Sequence, residues 1–328
     1  MQIYGTKGSE PLDAIPELSV IVISFNSPAL LKRCLMSLER QTLQEGVEVL
    51  VVRHRGLDET TDEELRHTFP SAWWVCAPRE YNVPQMRSLG VERSRGEVIA
   101  FLEDDCVATE TWCAALLKAH QSPHAAIGGA VEPGDYAKGL DWAAYFCEYI
   151  SFTQPLPEGD AWVLPGTNVS YKRAPLSELT SPERSRKASD AENPNQEIAP
   201  EGFYEAFVHQ ALRQAGHLLK ADSSLTVHNV NTWGLSKALR TRFHHGRGFA
   251  AMRVAGRSIG RRLPFVGLAV FLPVVQIGRI TRQVVTRKRY QWRLVQAFPW
   301  VILLSISWST GELAGYLLGP GDALERWR

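Results

Sequence analysis

The chain has 328 residues, of which 45% are hydrophobic and 22% charged, and it contains 25 glycines and 19 prolines. This composition excludes a disordered chain, a collagen-like repeat and a disulfide-stapled miniprotein, and the length exceeds the roughly 100–200 residues of one domain. The net charge of +1 hides an asymmetry, because residues 1–222 carry 20 Lys/Arg against 32 Asp/Glu, whereas residues 223–328 carry 16 against 3. We therefore expect two parts of different electrostatic character.

The cysteines and the N-terminus indicate a reducing compartment. None of the five cysteines forms a CxxC pair or has the spacing of a metal site. Unpaired thiols of this kind are typical of buried cysteines in the cytosol. Residues 1–17, interpreted as an N-terminal extension, lack a basic stretch followed by an apolar core. No secretory signal is predicted, and we expect the acidic part of the chain in the cytosol.

Short apolar runs alternate with amphipathic segments through the first half of the chain. Strands are predicted at 18–25, 47–52, 72–76 and 97–102, and helices at 29–41, 58–66 and 83–94. The apolar runs are rich in β-branched residues, as in strands that are buried on both faces. This alternation predicts an α/β fold with a mostly parallel sheet and helices on both faces.

The second half is less regular. Strands are predicted at 128–131 and 162–164, and a helix at 203–216 that ends at a glycine. Residues 177–200 are polar, charged and proline-bearing, and they are interpreted as a flexible surface loop.

Three consecutive carboxylates, Glu103, Asp104 and Asp105, directly follow the strand predicted at 97–102. In open α/β sheets, ligands bind beyond the carboxyl ends of the strands. Adjacent carboxylates repel one another unless a cation lies among them, and hard divalent cations prefer oxygen ligands and bridge to phosphates. The alternative is that one of these acids caps the next helix, although a single carboxylate would be enough for that role.

Several motifs, in this order, resemble glycosyltransferase family 2 and its GT-A fold, which is Rossmann-like with a mixed, mostly parallel sheet. They are the strand that ends in Ser24-Phe25-Asn26, the helix with Arg87, the sequence FLEDD that ends at Asp105, the sequence GTNVSYKR at 166–173, and the segment at 201–216 followed by His228. The resemblance covers about residues 18–230, and we place the glycosyltransferase domain at 18–232.

The resemblance implies a nucleotide diphosphate sugar as donor, with Mg²⁺ or Mn²⁺ as cofactor. By position, the donor-binding residues would be Ser24, Phe25 and Asn26 at the base, Arg87 near the nucleotide, and Glu103 and Asp104, the latter near the ribose. An ordinary solvated or paired charge is the alternative for Arg87. Asp105 would coordinate the metal on the diphosphate, and His228 would complete the metal or phosphate contacts. A structural role is the alternative for His228.

On the acceptor side, Gly166, Thr167 and Asn168 match the loop that faces the acceptor and the donor sugar. An ordinary turn at Pro165-Gly166 is the alternative. Glu205 matches the general base that deprotonates the acceptor hydroxyl, and Glu201 is its nearby substitute. Either glutamate could instead favour the dipole at the start of a helix. The family transfers the sugar with inversion at the anomeric carbon.

One departure from the family concerns base recognition. After the second strand the family usually carries an Asp that binds the nucleotide base, and this sequence has Arg53. A guanidinium cannot accept a hydrogen bond from a base N–H. We expect Arg53 to pair with a phosphate, an acidic sugar or Glu59, and the base to be recognised differently.

The region at 233–328 combines basic charge with apolar length. Eight Lys/Arg lie between 237 and 262, and apolar stretches follow at 263–277 and 298–318. A nucleic acid would explain only the charge, whereas an anionic membrane surface explains both features, so no nucleic-acid partner is predicted. The first stretch is shorter than the roughly 20 residues of a membrane span and contains two prolines.

The loop between these stretches carries Arg282, Arg287, Lys288, Arg289 and Arg293. If both stretches crossed the bilayer, this basic loop would violate the positive-inside tendency. We therefore predict a re-entrant or interfacial helical hairpin on the cytoplasmic face of the cell membrane, with a glycan or lipid-linked acceptor. Two buried helices packed on the catalytic domain are the structural alternative. A non-catalytic, membrane-attached scaffold with the same fold is the functional one.

Overall fold

The computed structural model describes residues 3–4, 15–25, 27–42, 46–54, 59–179 and 202–326. They group into two compact units, the first with residues 3–132, 152–179 and 202–230, and the second with residues 133–151 and 231–326. Residues 133–151 therefore group with the C-terminal helices, a contribution that the predicted boundary at residue 232 does not include.

The strands are β1 (Ile3–Tyr4), β2 (Leu18–Ser24), β3 (Val47–His54), β4 (Ala72–Ala77), β5 (Val98–Glu103), β6 (Cys106–Ala108), β7 (Ala126–Pro133), β8 (Gly159–Asp160), β9 (Asn168–Lys172) and β10 (Leu219–Asn229). The helices are α1 (Pro28–Thr42), α2 (Glu59–Thr68), α3 (Val83–Arg93), α4 (Trp112–Ala119), α5 (Gly139–Tyr149), α6 (Arg173–Leu179), α7 (Glu205–Gln214), α8 (Leu235–Arg253), α9 (Ile259–Arg287) and α10 (Gln291–Leu318). A 3₁₀ turn at Ile150–Phe152 follows α5.

The strands of the first unit form one sheet in the order β1-β4-β3-β2-β5-β9-β7-β10-β6, with β8 paired to β10. The central strands β4, β3, β2 and β5 are parallel, and antiparallel pairs flank them on both sides. This mixed sheet with a parallel centre confirms the predicted fold class. Because β9 runs antiparallel to β5, Asn168 lies opposite Leu102. The loop before β9 therefore meets the carboxyl ends of β2 and β5.

Both faces of the parallel centre are buried. On one face, Ile21 and Phe101 belong to an apolar cluster that includes residues of α3 and α7. A Cβ atom on Gly90 of α3 would lie 2.5 Å from Ile21 Cγ2, so this glycine allows the helix to approach the sheet closely. Side chains alternate along a strand, and Val20 and Val22, which point to the opposite face, are also fully buried. Burial on both faces explains the continuous apolar runs in the sequence.

Two predicted elements differ from the structure. The strand predicted at 162–164 is wrong, because these residues lie in the connection between β8 and β9, with Trp162 72% and Val163 64% exposed. The start of the loop predicted at 177–200 is wrong, since residues 177–179 belong to α6. The rest of that loop lies outside the described residues.

The second unit is helical, and its two longest helices form the predicted C-terminal hairpin. α9 and α10 are joined by a turn in which Lys288 and Tyr290 adopt left-handed backbone conformations. Both helices are long and apolar enough to cross a membrane, with mean hydropathies of 1.8 and 1.4 over their most apolar windows. Only 11% of that window in α9 is buried, against 44% in α10.

Three glycines allow α8 and α10 to pack backbone against backbone. A Cβ atom on Gly246 of α8 would lie 2.3 Å from the carbonyl oxygen of Trp308. On α10, a Cβ on Gly311 would lie 2.1 Å from the carbonyl oxygen of Phe243, and one on Gly315 would lie 2.3 Å from that of Arg247. No real Cβ tolerates such distances, so this contact depends on glycine.

We expect Gly311→Ala to lower the free energy of unfolding by about 2 kcal/mol, because the added methyl group overpacks the contact between α8 and α10. The matched control is Gly278→Ala in α9, where no described atom lies within 4 Å of an added Cβ. That change should be neutral or stabilise the helix by up to about 1 kcal/mol. Thermal unfolding followed by circular dichroism in one detergent compares them, and equal melting temperatures would contradict the packing argument.

Candidate functional site

The carboxyl ends of β2 and β5 bring a serine and an aspartate together. Ser24, the last residue of β2, donates its hydroxyl hydrogen to Asp104 Oδ2 at 2.9 Å. The backbone N–H of Asp104 donates to the carbonyl of Ile23 at 3.1 Å. Ser24 and Asp104 are fully buried. The first aspartate of the acidic triplet is therefore fixed in place by β2.

Arg53 of β3 extends this hydrogen-bonded chain. Its Nη1 donates to Ser24 Oγ at 2.7 Å, and its Nε pairs with Asp62 Oδ1 of α2 at 2.8 Å. Arg53 and Asp62 are each 4% exposed. The partner of Arg53 is thus Asp62, which sequence reasoning missed, while the side chain of Glu59 lies outside the described residues. The signal available was an acid nine positions after Arg53 on an amphipathic helix.

Arg87 of α3 joins four elements of the site. Its Nη2 donates to Glu103 Oε1 at 2.8 Å and to the carbonyl of Gly166 at 3.2 Å, and its Nη1 pairs with Glu205 Oε2. The guanidinium also lies over the Phe101 ring, 5.8 Å from its centroid. Arg87 is only 4% exposed. Arg87 therefore connects β5, the loop before β9 and the start of α7. Its place near the nucleotide stays a prediction.

The capping of α3 orients Arg87. Asn82 caps the helix by accepting a hydrogen bond from the backbone N–H of Gln85, and the Gln85 side chain accepts one from the backbone N–H of Asn82. This reciprocal capping box satisfies two backbone donors at the helix start. Arg87 lies in the first turns of this well-capped helix.

The two glutamates bound to Arg87 respond differently to burial. Burial acts to raise the pKa of Glu205, but Arg87, a backbone hydrogen bond and His209 outweigh it and hold the pKa below its usual range. For Glu103, burial acts to raise the pKa above its usual range, opposed by Arg87 and assisted by the neighbouring carboxylates Asp105, Glu205 and Asp104. One guanidinium is therefore shared within a cluster of four carboxylates.

Asp105 is connected to the loop before β9 through a cysteine. Asp105 is 4% exposed, and the thiol of Cys106 contacts its Oδ1 at 3.5 Å. The same sulfur lies 3.0 Å from Thr167 Oγ1. Burial, followed by the charge of Asp105, raises the pKa of Cys106 well above its usual range, so the thiol is protonated. Thr167 thus lies next to the acidic triplet.

His228 lies on the same edge of the sheet as Asp105. In the antiparallel pair of β6 and β10 it is opposite Val107, and the N–H of Val230 donates to the carbonyl of Asp105 at 2.8 Å. His228 therefore lies close in the ladder to Asp105, which immediately precedes β6. Within the described residues, no group of three His, Cys, Asp or Glu is arranged to hold a metal ion.

This pair nevertheless fits the metal that the resemblance implies. Mg²⁺ is commonly bound by one or two carboxylates together with substrate phosphates, so a complete protein cage is not required. Asp105 supplies a carboxylate and His228 an exposed imidazole. The excess of carboxylates over guanidinium in the cluster also favours a cation.

The structure argues against the predicted sugar contact of Asn168. Its Oδ1 accepts a hydrogen bond from Trp112 Nε1 at 3.0 Å, and its Nδ2 donates to the carbonyls of Ala130 and Leu225 at 2.8 and 3.1 Å. Asn168 is 1% exposed. Its amide therefore braces β9, β7 and β10, because a buried amide must satisfy its hydrogen bonds within the fold.

Gly166 contributes through its lack of a side chain. A Cβ atom there would lie 2.7 Å from Glu205 Oε1 and 3.2 Å from Arg87 Nη2. A side chain at this position would therefore collide with the ion pair.

Of the remaining predicted residues, Phe25 is half-buried and packs against the apolar cluster of α3 and α7. Asn26 and Glu201 lie outside the described residues.

We expect Arg87→Met to lower the free energy of unfolding by about 2–3 kcal/mol, because it leaves two carboxylates without their counter-charge. The value is at the low end for buried pairs, since the Glu205 side chain is 34% exposed. The control on the same helix is Arg93→Met, whose partner Glu92 is 67% exposed. That change should cost at most about 0.5 kcal/mol. Urea unfolding measures both, and similar losses would remove Arg87 from its organising role.

Comparison with known proteins assigns the family. Residues 19–180 match the family described as glycosyl transferase family 2. EpsH of Bacillus subtilis (strain 168), named as a glycosyltransferase, is 27% identical over 104 residues, which are 31% of this chain and 30% of the relative. The glycosyltransferase AglE of Haloferax volcanii is 29% identical over 103 residues, 30% of this chain and 33% of the relative. The chain thus spans about a third of the length of these curated relatives.

The fold is similar to that of a solved mannosyltransferase. PcManGT from Pyrobaculum calidifontis, solved in complex with GDP-Man and Mn²⁺, aligns with a TM-score of 0.52 and 14% identity, over 92% of this chain and 88% of that one. At this identity the likeness shows the fold alone. Residues 19–180, a little under half of the chain, therefore form a glycosyltransferase family 2 domain.

Proposed function

We propose that this protein transfers a glycosyl residue from a nucleotide diphosphate sugar to a hydroxyl group of an acceptor. The observation that carries the proposal is the convergence of the acidic triplet at 103–105, Arg87 and Glu205 at the carboxyl ends of β2 and β5. This edge is where open α/β sheets bind ligands. Family membership and the GDP-Man complex of the solved mannosyltransferase support the donor class.

The donor nucleotide would lie against the end of β2, with Asp104 near its ribose. The base cannot use the side chain of Arg53 as an acceptor, and that guanidinium is bound to Asp62 and Ser24. Recognition of the base would therefore pass through backbone groups near the end of β2. Ser24 supports this pocket indirectly, since its hydroxyl holds Asp104 in place.

Asp105 and His228 would hold Mg²⁺ or Mn²⁺ together with the donor diphosphate. When bound, the metal supplies positive charge that stabilises the departing diphosphate. Arg87 is paired with Glu103 and Glu205. Its guanidinium therefore does not neutralise all four carboxylates of the cluster, and this excess of negative charge supports the bound cation.

Glu205 would accept the proton of the acceptor hydroxyl. Its Oε2 is bound to Arg87, whereas its Oε1 lies over Gly166, where the missing side chain leaves room. The lowered pKa keeps this carboxylate ionised at neutral pH and therefore able to take up a proton. Arg87 acts as a positioning residue that fixes the carboxylate. One in-line displacement would invert the anomeric carbon, and Glu201 remains the alternative base.

The second unit would attach the enzyme to the cytoplasmic face of a membrane, where a glycan or lipid-linked acceptor is presented. α9 exposes a run of large apolar residues, among them Leu268, Phe271, Val274 and Val275, each 59% exposed or more. Exposed apolar surface of this size marks an interaction site. Arginines lie at both ends of the run, at 261–262 and at 279 and 282, as in helices that lie in an anionic interface.

We expect Glu205→Gln to lower turnover by about 10²–10⁴-fold, the contribution typical of a general base, while binding of the donor changes little.

Asp105→Ala should abolish both turnover and the Mn²⁺-dependent rise in melting temperature with the preferred donor. The matched control is Glu110→Gln, which changes an exposed glutamate before α4. The measurements are release of nucleotide diphosphate and thermal shift across a panel of nucleotide diphosphate sugars.

Two outcomes would contradict this assignment. Equal turnover of Glu205→Gln and Glu110→Gln would move the base elsewhere, with Glu201 as the next candidate. The non-catalytic scaffold would be favoured if the unaltered protein bound the donor but released no nucleotide in the presence of acceptor extracts. The substitution of Arg53 at the usual aspartate position is the observation that keeps this second function in view.

We expect the double change Phe271→Asp and Val274→Asp to reduce cosedimentation with vesicles of phosphatidylcholine and phosphatidylglycerol at least about tenfold, since charged groups oppose burial in the interface. The control is Met36→Asp in the first unit, where an apolar residue is 57% exposed. High salt should weaken binding in part, because it screens the basic residues. Unchanged cosedimentation of the double variant would exclude α9 as the membrane contact.

A further inference from the structure

A surface cleft of about 750 Å³ runs beside α7 in the first unit. One wall is formed by α7 residues, among them Ala206, Gln210 and Arg213, and the other by Trp162 and Val163. None of the described residues that line it is a carboxylate. The cleft is therefore unsuited to a cation and has an apolar surface with a few neutral or positive polar groups.

Trp162 is exposed in an unusual way. It is 72% exposed, although tryptophan is highly buried on average. The guanidinium carbon of Arg213 lies 3.5 Å from the centroid of its ring. A stacked cation of this kind holds the indole in one orientation. Because most of the residue remains exposed, the opposite face of the ring is open to a ligand.

The polar groups of the cleft are suited to hydroxyl groups. Gln210 and Gln214 are exposed and one turn apart on α7, so their amides are neighbours on one helix face. Each amide offers a carbonyl acceptor and two N–H donors, and Arg213 adds further donors. Such a set can bind a ligand with many hydroxyls that both donate and accept.

The cleft is continuous in sequence with the candidate active site. Ala206 directly follows Glu205 on α7, and Trp162 lies four residues before Gly166, whose carbonyl accepts from Arg87. From Ala206 to Arg213, α7 rises by about 10 Å. A chain-like ligand in the cleft would therefore extend from the proposed base toward Trp162.

We infer that this cleft binds an oligosaccharide, which forms the extended part of the acceptor. A sugar ring has an apolar C–H face that stacks on an indole, and its hydroxyls match the glutamine amides and Arg213. The acceptor role rests on the proposed function, whereas saccharide binding in the cleft does not. The acceptor class is thus a saccharide chain, and Trp162 is a specificity-determining residue for it.

The test is binding of the full chain in detergent to a glycan array of defined neutral and acidic oligosaccharides. The unaltered protein should label a subset of these glycans. Trp162→Ala should weaken that labelling by about tenfold or more, and Gln210→Ala should weaken it to a lesser degree. The matched control is Trp292→Ala on α10, which removes a tryptophan that is 70% exposed.

Absence of labelling by the unaltered protein, or equal labelling by Trp162→Ala and Trp292→Ala, would overturn the inference. Thermal shift with nucleotide diphosphate sugars and Mn²⁺ is measured on the same samples. Glycan labelling without any donor-induced shift would keep the cleft and refute the proposed function. A donor-induced shift without glycan labelling would support the proposed function and refute saccharide binding in the cleft.

Discussion

The candidate site depends on a single buried guanidinium that serves three acceptors. Arg87 binds Glu103 and Glu205 and also the carbonyl of Gly166, which belong to three different elements. The opposite charges of the two glutamates stabilise the buried guanidinium, and the guanidinium in turn favours the ionised form of each glutamate. The ion pairs and the hydrogen bond of Arg87 therefore hold strand β5, the loop before β9 and helix α7 in one arrangement.

The same logic explains how the fold accommodates Arg53 where the family usually carries an aspartate. A basic residue at the end of a buried strand would be costly alone, and α2 supplies Asp62 as its partner. The pair then supports Ser24, whose hydroxyl binds Asp104. The polar network at this edge of the sheet is therefore built from a guanidinium on strand β3 and a carboxylate on helix α2.

Much of this could be predicted from the sequence, and the exceptions share one cause. Local patterns are sufficient for the strand before the acidic triplet and for the helix that carries Arg87, because apolar periodicity and capping signals lie within each segment. Whether Asn168 faces a sugar or braces the sheet depends on Trp112, Ala130 and Leu225, which are distant in sequence.

The mistaken strand at 162–164 shows the same limit. Its apolar residues fit a strand pattern, but whether they are buried depends on what packs over them, and Trp162 remains 72% exposed with Arg213 over its ring. The side-chain pattern of a short apolar run cannot distinguish an interior strand from a ligand platform. Likewise, the amphipathic helix offers several acids after Arg53, and the choice of Asp62 as its partner depends on how α2 is placed in the fold.

In the second unit, the distribution of glycine decides which helix remains exposed. α10 presents Gly311 and Gly315 to α8 and thereby packs backbone against backbone, which buries nearly half of its most apolar window. α9 has Gly260, Gly267 and Gly278, but none of these glycines has a described atom within 4 Å of its Cβ position. Small residues therefore bring α8 and α10 together, while α9 contributes few residues to the helical core and keeps its apolar side chains at the surface.

In water, the exposed apolar surface of α9 favours association, and in an interface between lipid and water it becomes stabilising. The burial of α10 and the exposure of α9 thus follow from where the close helix contacts are formed, because both helices are apolar and of similar length.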